Sequence, residues 1–152
     1  MPRQLKAEIE IQAPAERVWA VLTDFGAYHE WNPFIYQAAG ESVPGQRLEL
    51  HMRLPGRRPT TFRPEVLEAD PGRGLGWLGR LLFPGLFDGE HHFTIEPTGP
   101  GRVRLSQREE FRGLLVPFLL SMIAKPTEES FHRMNQALKA RAEQPAPARA
   151  AG

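Results

Sequence analysis

The sequence of 152 residues contains no cysteine. Disulfide bonds, thiolate nucleophiles and cysteine-ligated zinc sites are therefore excluded. A long apolar run is missing too, because the most apolar stretch, residues 114–124, is interrupted by Pro117 and Ser121. A helix that crosses a bilayer needs about 20 apolar residues. We therefore expect no stable membrane insertion.

An excess of charge of either sign is also lacking. The chain has 19 basic and 18 acidic side chains and a formal net charge of +1, which indicates no surface for nucleic acid or for an anionic membrane. Residues 1–6 carry no apolar signal segment, so we expect a cytoplasmic protein. The length and the ordinary composition predict one domain over residues 1–143, followed by a disordered tail over residues 144–152.

Proline and glycine, by contrast, are abundant, with 15 and 14 residues. They often stand side by side, which is typical of chain reversals, because proline presets φ for a turn and glycine accepts positive φ. The segments between these pairs have strand length and predict an antiparallel meander. With an N-terminal strand, the sequence predicts seven strands. They cover residues 6–12, 33–43, 46–54, 59–69, 73–83, 86–97 and 102–112.

Two segments have the apolar spacing of helices. Apolar residues follow Pro14 at helical intervals as far as residue 25, which predicts a short helix after the first strand. A second helical segment covers residues 114–142, and we expect Pro117 and Pro126 to kink it or to split it. The sequence thus predicts an α+β domain in which a terminal helix covers one face of a curved sheet.

One string, Gly74–Gly79, matches the glycine pattern of a dinucleotide-binding loop. That loop requires a strand before the glycines and a helix after them. Here the string follows Pro71-Gly72 and runs into Pro84-Gly85, which cannot continue a helix. We therefore interpret the string as strand and expect no cofactor.

Two polar residues, His91 and Glu109, lie on strand faces that otherwise carry Phe, Ile and Leu. An ionised glutamate there is costly unless it is paired, hydrated in a cavity or protonated. Both residues are equidistant from Pro100 in the predicted turn, so their side chains should oppose each other within hydrogen-bond reach. Such a pair would leave the second imidazole nitrogen for a ligand or water. His92 points to the opposite face, so the two histidines cannot chelate one metal, and we expect no metal site.

Two roles of this pair stay open. It stabilises the sheet only, or it forms a polar site within a ligand cavity. In the second case His91 and Glu109 are the candidate catalytic residues.

Several strings along the chain resemble the START-like helix-grip superfamily (SRPBCC), and within it the bacterial group of polyketide cyclase/dehydrase and lipid-transport proteins. The strings are Ile9–Asp24, Trp31–Phe34, Trp77–Gly79, Gly85–Phe93, Glu109–Gly113 and Phe131–Lys139. The resemblance implies a helix-grip fold, in which a curved antiparallel sheet surrounds a long C-terminal helix and short helices follow the first strand. It implies an apolar cavity between the sheet and the long helix. It also implies that the protein binds or transforms hydrophobic small molecules such as lipids and polyketides.

Strand parity and the resemblance indicate the same cavity wall. A mostly apolar wall with a few polar groups is typical of a small-molecule pocket, although a plain core shows a similar stripe. The expected ligand-binding residues are Trp31, Phe34, Leu50, Met52, Phe62, Trp77, His91, Phe93, Glu109, Phe111, Phe118, Met122, Phe131 and Met134.

We expect the protein to be a carrier or sensor of a small hydrophobic ligand of lipid, polyketide or aromatic type. The alternative is an enzyme of the cyclase/dehydratase type, in which Glu109 or His91 acts as general acid or base. A protein-interaction domain, as in the co-chaperone branch of the superfamily, is a third interpretation. The sequence does not indicate the oligomeric state.

Overall fold

The computed structural model describes residues 3–81 and 83–145. Within these residues the chain forms eight strands in two antiparallel sheets. The strands are β1 (Arg3–Ile11), β2 (Ile35–Ala39), β3 (Glu49–Met52), β4 (Thr60–Phe62), β5 (Glu65–Asp70), β6 (Gly74–Arg80), β7 (Asp88–Gly99) and β8 (Arg102–Arg112). The larger sheet has the order β1-β8-β7-β6-β5 and the smaller one the order β2-β3-β4.

The α+β class, the antiparallel pairing and the helix-grip architecture are confirmed, but the prediction of seven strands is wrong. The expected strand 59–69 is two strands, β4 and β5, which belong to different sheets. Pro64 separates them, because it has no N–H for a ladder hydrogen bond. Its carbonyl instead accepts from the backbone N–H of Leu48 at 2.9 Å. A single bridge between Arg47 and Glu65 links the two sheets at this point.

The expected short helices after the first strand are present. α1 (Ala15–Thr23) begins directly after Pro14, which has an extended ψ of 157° and occupies the N-cap position. The buried face of α1 carries Val18, Val21 and Leu22, as the helical spacing predicts. A 3-10 helix (Phe25–Glu30) follows and leads into β2.

The terminal helix, α2 (Val116–Glu143), is continuous over 28 residues, so of the two expected effects of proline, a kink or a split, the split does not occur. Pro117 lies in the first turn, where its missing N–H costs nothing. Pro126 lies inside the helix and cannot donate to the carbonyl of Met122, four residues earlier. That carbonyl accepts from the Arg57 guanidinium at 3.4 Å. The Arg57 guanidinium thus replaces the backbone N–H that Pro126 lacks, and the helix continues through this point.

The second half of α2 packs on β1, β8 and α1. Phe131, Met134 and Leu138 are fully buried there, in the main apolar core. A smaller apolar cluster around Phe111 and Leu120 lies near the start of the helix. The first half of α2 therefore borders space that the main core does not fill.

None of the helices in the described residues is long and apolar enough to cross a membrane. The disordered tail expected over residues 144–152 lies outside the described residues from position 146 onward.

Candidate functional site

A cavity of about 640 Å³ lies between the two sheets and the first half of α2. Strands β3 and β4 contribute one wall, β6, β7 and β8 another, and α2 closes the space between them. Most of the lining side chains are aliphatic or aromatic. The volume falls within the range of about 300–1,000 Å³ that is usual for pockets holding small molecules.

The structure brings eight of the expected ligand-binding residues together on this cavity. Seven of them come from strands, where the alternation of side chains assigns each residue to one face. The eight are Phe34, Leu50, Met52, Phe62, Trp77, His91, Glu109 and Phe111.

Four other expected residues do not line the cavity. Phe93, Phe131 and Met134 are fully buried in the main core, where the rings of Trp77 and Phe93 meet edge to face at 5.3 Å. Trp31 is half-buried against Tyr28, with ring centroids 5.0 Å apart. These side chains belong to the apolar core or pack against it, so the expectation that they line the cavity is wrong.

On α2 the expected helical face is also wrong, by one position. Phe118 and Met122 are exposed to solvent, whereas Leu119, Ile123 and Thr127 line the cavity. Residues 114–124 are apolar nearly all round, so their own pattern does not indicate which face is buried. The second half of the helix holds the signal that was missed, because its buried face includes Phe131. Counting back from Phe131 in steps of four residues gives Thr127, Ile123 and Leu119, which are the three lining positions.

Sequence reasoning also missed the cavity mouth, which loops form. Arg57 and Arg58, between β3 and β4, and Arg80, at the end of β6, line the cavity and are exposed to solvent, which places them at its opening. Leu81 and Phe87 contribute from the segment between β6 and β7. Loop residues have no periodicity that would indicate their direction, and no pattern in the sequence could have found these side chains.

The predicted pairing of His91 with Glu109 is confirmed. The two residues are direct partners in the β7–β8 register, and Nδ1 of His91 lies 3.3 Å from Oε2 of Glu109. The imidazole is buried and stacks on the Trp77 ring, with centroids 5.3 Å apart and an interplanar angle of 18°. The ring is therefore held in one orientation by packing as well as by hydrogen bonding.

The second imidazole nitrogen is not free for a ligand, so that expectation is wrong. Nε2 of His91 lies 3.0 Å from Oε1 of Gln107. The amide nitrogen of Gln107 donates to Oδ1 of Asn135 at 2.6 Å and to the carbonyl of Phe131 at 3.3 Å. Because a carbonyl can only accept, these bonds fix the amide orientation and leave Oε1 as an acceptor. Nε2 of His91 must therefore carry a proton.

This hydrogen-bond arrangement restricts the protonation states that His91 and Glu109 can adopt together. With Nε2 protonated, Nδ1 either accepts a hydrogen bond from a protonated Glu109 or donates one, as imidazolium, to the carboxylate. In both states one proton is shared between Nδ1 and the carboxyl group. The side chain of Glu109 is 17% exposed and that of His91 only 3%, so Glu109 is the group that a ligand in the cavity would meet first.

Gly89 provides the room that the Glu109 carboxyl occupies. A Cβ atom at position 89 would lie 2.5 Å from Oε1 of Glu109, which is far inside van der Waals contact. Gly89 itself lines the cavity. The absence of a side chain at this position therefore sets where the carboxyl group can lie.

The model of the family "Polyketide cyclase / dehydrase and lipid transport" matches residues 2–143. The fold is similar to that of the Zhui aromatase/cyclase from Streptomyces sp. R1128, with a TM-score of 0.78 and 20% identity over 94% of each chain. A START superfamily protein from Mycobacterium smegmatis has a TM-score of 0.73 and 24% identity, over 93% of this chain and 97% of that chain. Norcoclaurine synthase from Thalictrum flavum has a TM-score of 0.71 and 15% identity, over 93% and 94%. No curated protein matches the sequence.

Proposed function

Because this chain belongs to the polyketide cyclase/dehydrase and lipid transport family, we propose that it binds a small, largely apolar molecule in the cavity and acts as a carrier or sensor. The cavity of about 640 Å³ is the observation that carries the proposal. Apolar side chains that line an open space lose the packing contacts that a filled core provides. A ligand of matching shape restores those contacts.

The lining indicates what such a ligand looks like. Aliphatic and aromatic walls favour a lipid, polyketide or aromatic body. Inside the cavity, Glu109 offers a carboxyl group to one hydroxyl or similar polar group of the ligand. The opposite end of the ligand reaches the mouth, where Arg57 and Arg58 supply donors.

A cavity-filling variant tests the proposal with little strain. Gly79 lines the cavity from β6, and a Cβ atom there would meet its nearest neighbour, Pro64, at 3.9 Å. Gly79→Phe should therefore place a ring in the cavity while the fold persists. We expect it to weaken the saturable uptake of an environment-sensitive apolar dye about ten-fold or more.

The matched control is Gly26→Phe, because a Cβ atom at Gly26 meets nothing within 4 Å and the residue lies away from the cavity. It should leave dye affinity unchanged. If the folded wild-type protein takes up no apolar probe saturably, the proposal is wrong.

A second candidate function is catalysis of the cyclase/dehydratase type. The observation that favours it is the 3.3 Å contact between Nδ1 of His91 and Oε2 of Glu109 at the cavity wall, which one proton can bridge. Glu109 would exchange that proton with a ligand carbonyl or hydroxyl, and His91 would position the carboxyl group. The names of two structural neighbours, an aromatase/cyclase and norcoclaurine synthase, agree with such a role.

Native mass spectrometry of protein purified from its own host separates the two candidates. A carrier should hold a molecule of the same mass in the wild type and in Glu109→Gln. An enzyme should hold different masses, because the variant retains a substrate that the wild type converts.

A further inference from the structure

The surface around the cavity mouth carries apolar side chains that neither the core nor the cavity uses. The described part of the chain leaves six large apolar side chains exposed, and four of them gather here. These four, which we call the mouth patch, are Phe83 (56% exposed), Leu114 (78%), Phe118 (70%) and Met122 (56%). The other two, Val43 and Leu67, lie in separate segments.

Two segments of the chain build the mouth patch. The backbone N–H of Leu114 donates to the carbonyl of Gly85 at 3.0 Å, and that of Leu115 donates to Leu86 at 3.0 Å. The segment 83–87 is thus held against the start of α2. Phe118 and Met122 follow on α2, one turn apart. Their neighbours on the helix, Leu119 and Ile123, line the cavity, so the patch borders the opening.

Cationic side chains flank the same opening. Arg57 and Arg58 lie in the loop between β3 and β4, and Lys125 follows the patch on α2; all three are exposed. Arg57 contacts α2 directly, through the carbonyl of Met122. Within residues 3–81 and 83–145, none of the three forms a salt bridge. The net charge of +1 gives no indication of this cationic cluster. Its members are far apart in the sequence and come together only in the folded protein.

We propose that the mouth patch docks reversibly on the surface of an anionic lipid bilayer, with the cavity mouth turned towards the lipid. Protruding Phe, Leu and Met side chains enter the boundary between headgroups and acyl chains, and the flanking cations meet anionic headgroups. This is peripheral docking, and it requires no membrane-spanning segment.

Other occupants fit the surface less well. A second copy of this chain would bring two cationic rims together, and like charges repel across an interface. An acidic protein would satisfy the cations. However, the choice of lipid rests on the proposed apolar ligand, which can pass between the cavity and its source without crossing water when the mouth faces acyl chains. Continuity of the patch with the cavity therefore favours lipid.

Vesicle cosedimentation tests the docking without any cavity ligand. Wild-type protein should bind vesicles of phosphatidylcholine and phosphatidylglycerol in equal parts, bind pure phosphatidylcholine more weakly, and lose binding as salt rises. Phe118→Gln with Met122→Gln should weaken binding about ten-fold or more. The matched control, Val43→Gln with Leu67→Gln, removes two exposed apolar side chains elsewhere and should bind as the wild type does.

A second pair of variants tests the charges. Arg58→Gln with Lys125→Gln should weaken binding to the anionic vesicles about thirty-fold, since each cation near a charged membrane contributes about a factor of five. The control is Arg73→Gln with Arg102→Gln, two exposed arginines at the far ends of the strands, one in the turn before β6 and one at the start of β8. It should retain binding.

Three results would overturn the proposal: no binding of the wild type to anionic vesicles, equal losses in patch and control variants, or patch-dependent self-association without vesicle binding. The last would make the patch an interface between copies. Apolar dye uptake measured without vesicles keeps this test separate from the cavity proposal. Phe118 and Met122 do not line the cavity, so their variant should take up dye normally.

Discussion

The guanidinium of Arg57 donates to the carbonyl of Met122, the one carbonyl of α2 that Pro126 deprives of its helical donor. Arg57 belongs to the loop that borders one side of the cavity mouth, and Met122 lies on the helix that borders the other. The contact therefore ties the two sides of the opening together. It also offsets the cost of a proline inside the helix.

Loss of this contact should loosen the mouth. A hydrogen bond of this kind contributes about 0.5–1.5 kcal/mol, so Arg57→Ala should speed the release of a bound apolar dye about two- to ten-fold in stopped-flow experiments. Pro126→Ala restores an N–H that can bond Met122 within the helix. In that background Arg57→Ala should have a smaller effect on the release rate, and an equal effect in both backgrounds would refute the role of the carbonyl.

The buried amide of Gln107 should matter for stability more than either member of the acid–imidazole pair. Gln107→Leu leaves Nε2 of His91 and Oδ1 of Asn135 without their partner and removes the side-chain donor to the Phe131 carbonyl. Burying unsatisfied polar groups costs about 1–3 kcal/mol each. We expect a loss of at least about 2 kcal/mol in urea unfolding. Ser106→Ala, next to it on the other face of β8, should cost far less, and similar losses would contradict the network.

The strand contribution to the site could be predicted because alternation along a strand assigns each side chain to a face without knowledge of the tertiary fold. The opposition of His91 and Glu109 followed from their equal distance to one turn. The partner of His91, Gln107, was not recognised, since its own partner, Asn135, lies 28 residues away on α2. That contact exists only after the helix has packed on the sheet.

The other errors have equally local causes. Pro64 breaks one expected strand in two and sends the halves to different sheets, which a spacing rule for turns does not reveal. A helix segment that is apolar all round has no preferred face until the neighbouring cavity and solvent define one. Arg57 and Arg58 of the mouth lie in a loop, whose direction depends on the two strands that it connects.

Tyr28 should make the folded protein sensitive to alkali. Its ring is fully buried, and its hydroxyl donates to the carbonyl of Leu22. Burial raises the pKa of the Tyr28 phenol far above its ordinary value, and the negative charge of Asp24 raises it further. The unfolded chain releases this proton near pH 10 whereas the folded chain retains it, so the stabilisation is complete below about pH 10 and is lost as pH rises above it.

Absorbance of the phenolate measures this directly. The chain has two tyrosines, so Tyr36→Phe leaves Tyr28 as the only one. In this variant the phenolate signal should appear together with the loss of circular dichroism, in one cooperative step. Phenolate absorbance in protein that is still folded would show that Tyr28 is not held as the structure describes.

Glu109 and Gly89 should act as one unit in ligand binding. Glu109→Gln keeps a donor for Nδ1 of His91, so it should change the melting temperature little, while it removes the carboxyl group from the cavity. Gly89→Ala forces the same carboxyl aside, because the new Cβ atom would lie 2.5 Å from Oε1 of Glu109. Both variants should alter the affinity for a ligand that carries a hydroxyl and leave the uptake of a purely apolar dye nearly unchanged.

The double variant, Gly89→Ala with Glu109→Gln, shows whether the two residues act together in ligand binding. If Gly89→Ala works by displacing the carboxyl group, it should have little further effect once Glu109 is glutamine, and the coupling in a double-mutant cycle should approach the effect of either change alone. A pair that only stabilises the sheet gives the opposite pattern: Glu109→Gln lowers the melting temperature and the affinity for the hydroxylated ligand stays the same. That result would show that Glu109 stabilises the fold and does not contact the ligand. The cavity would then offer the ligand no polar group at this wall.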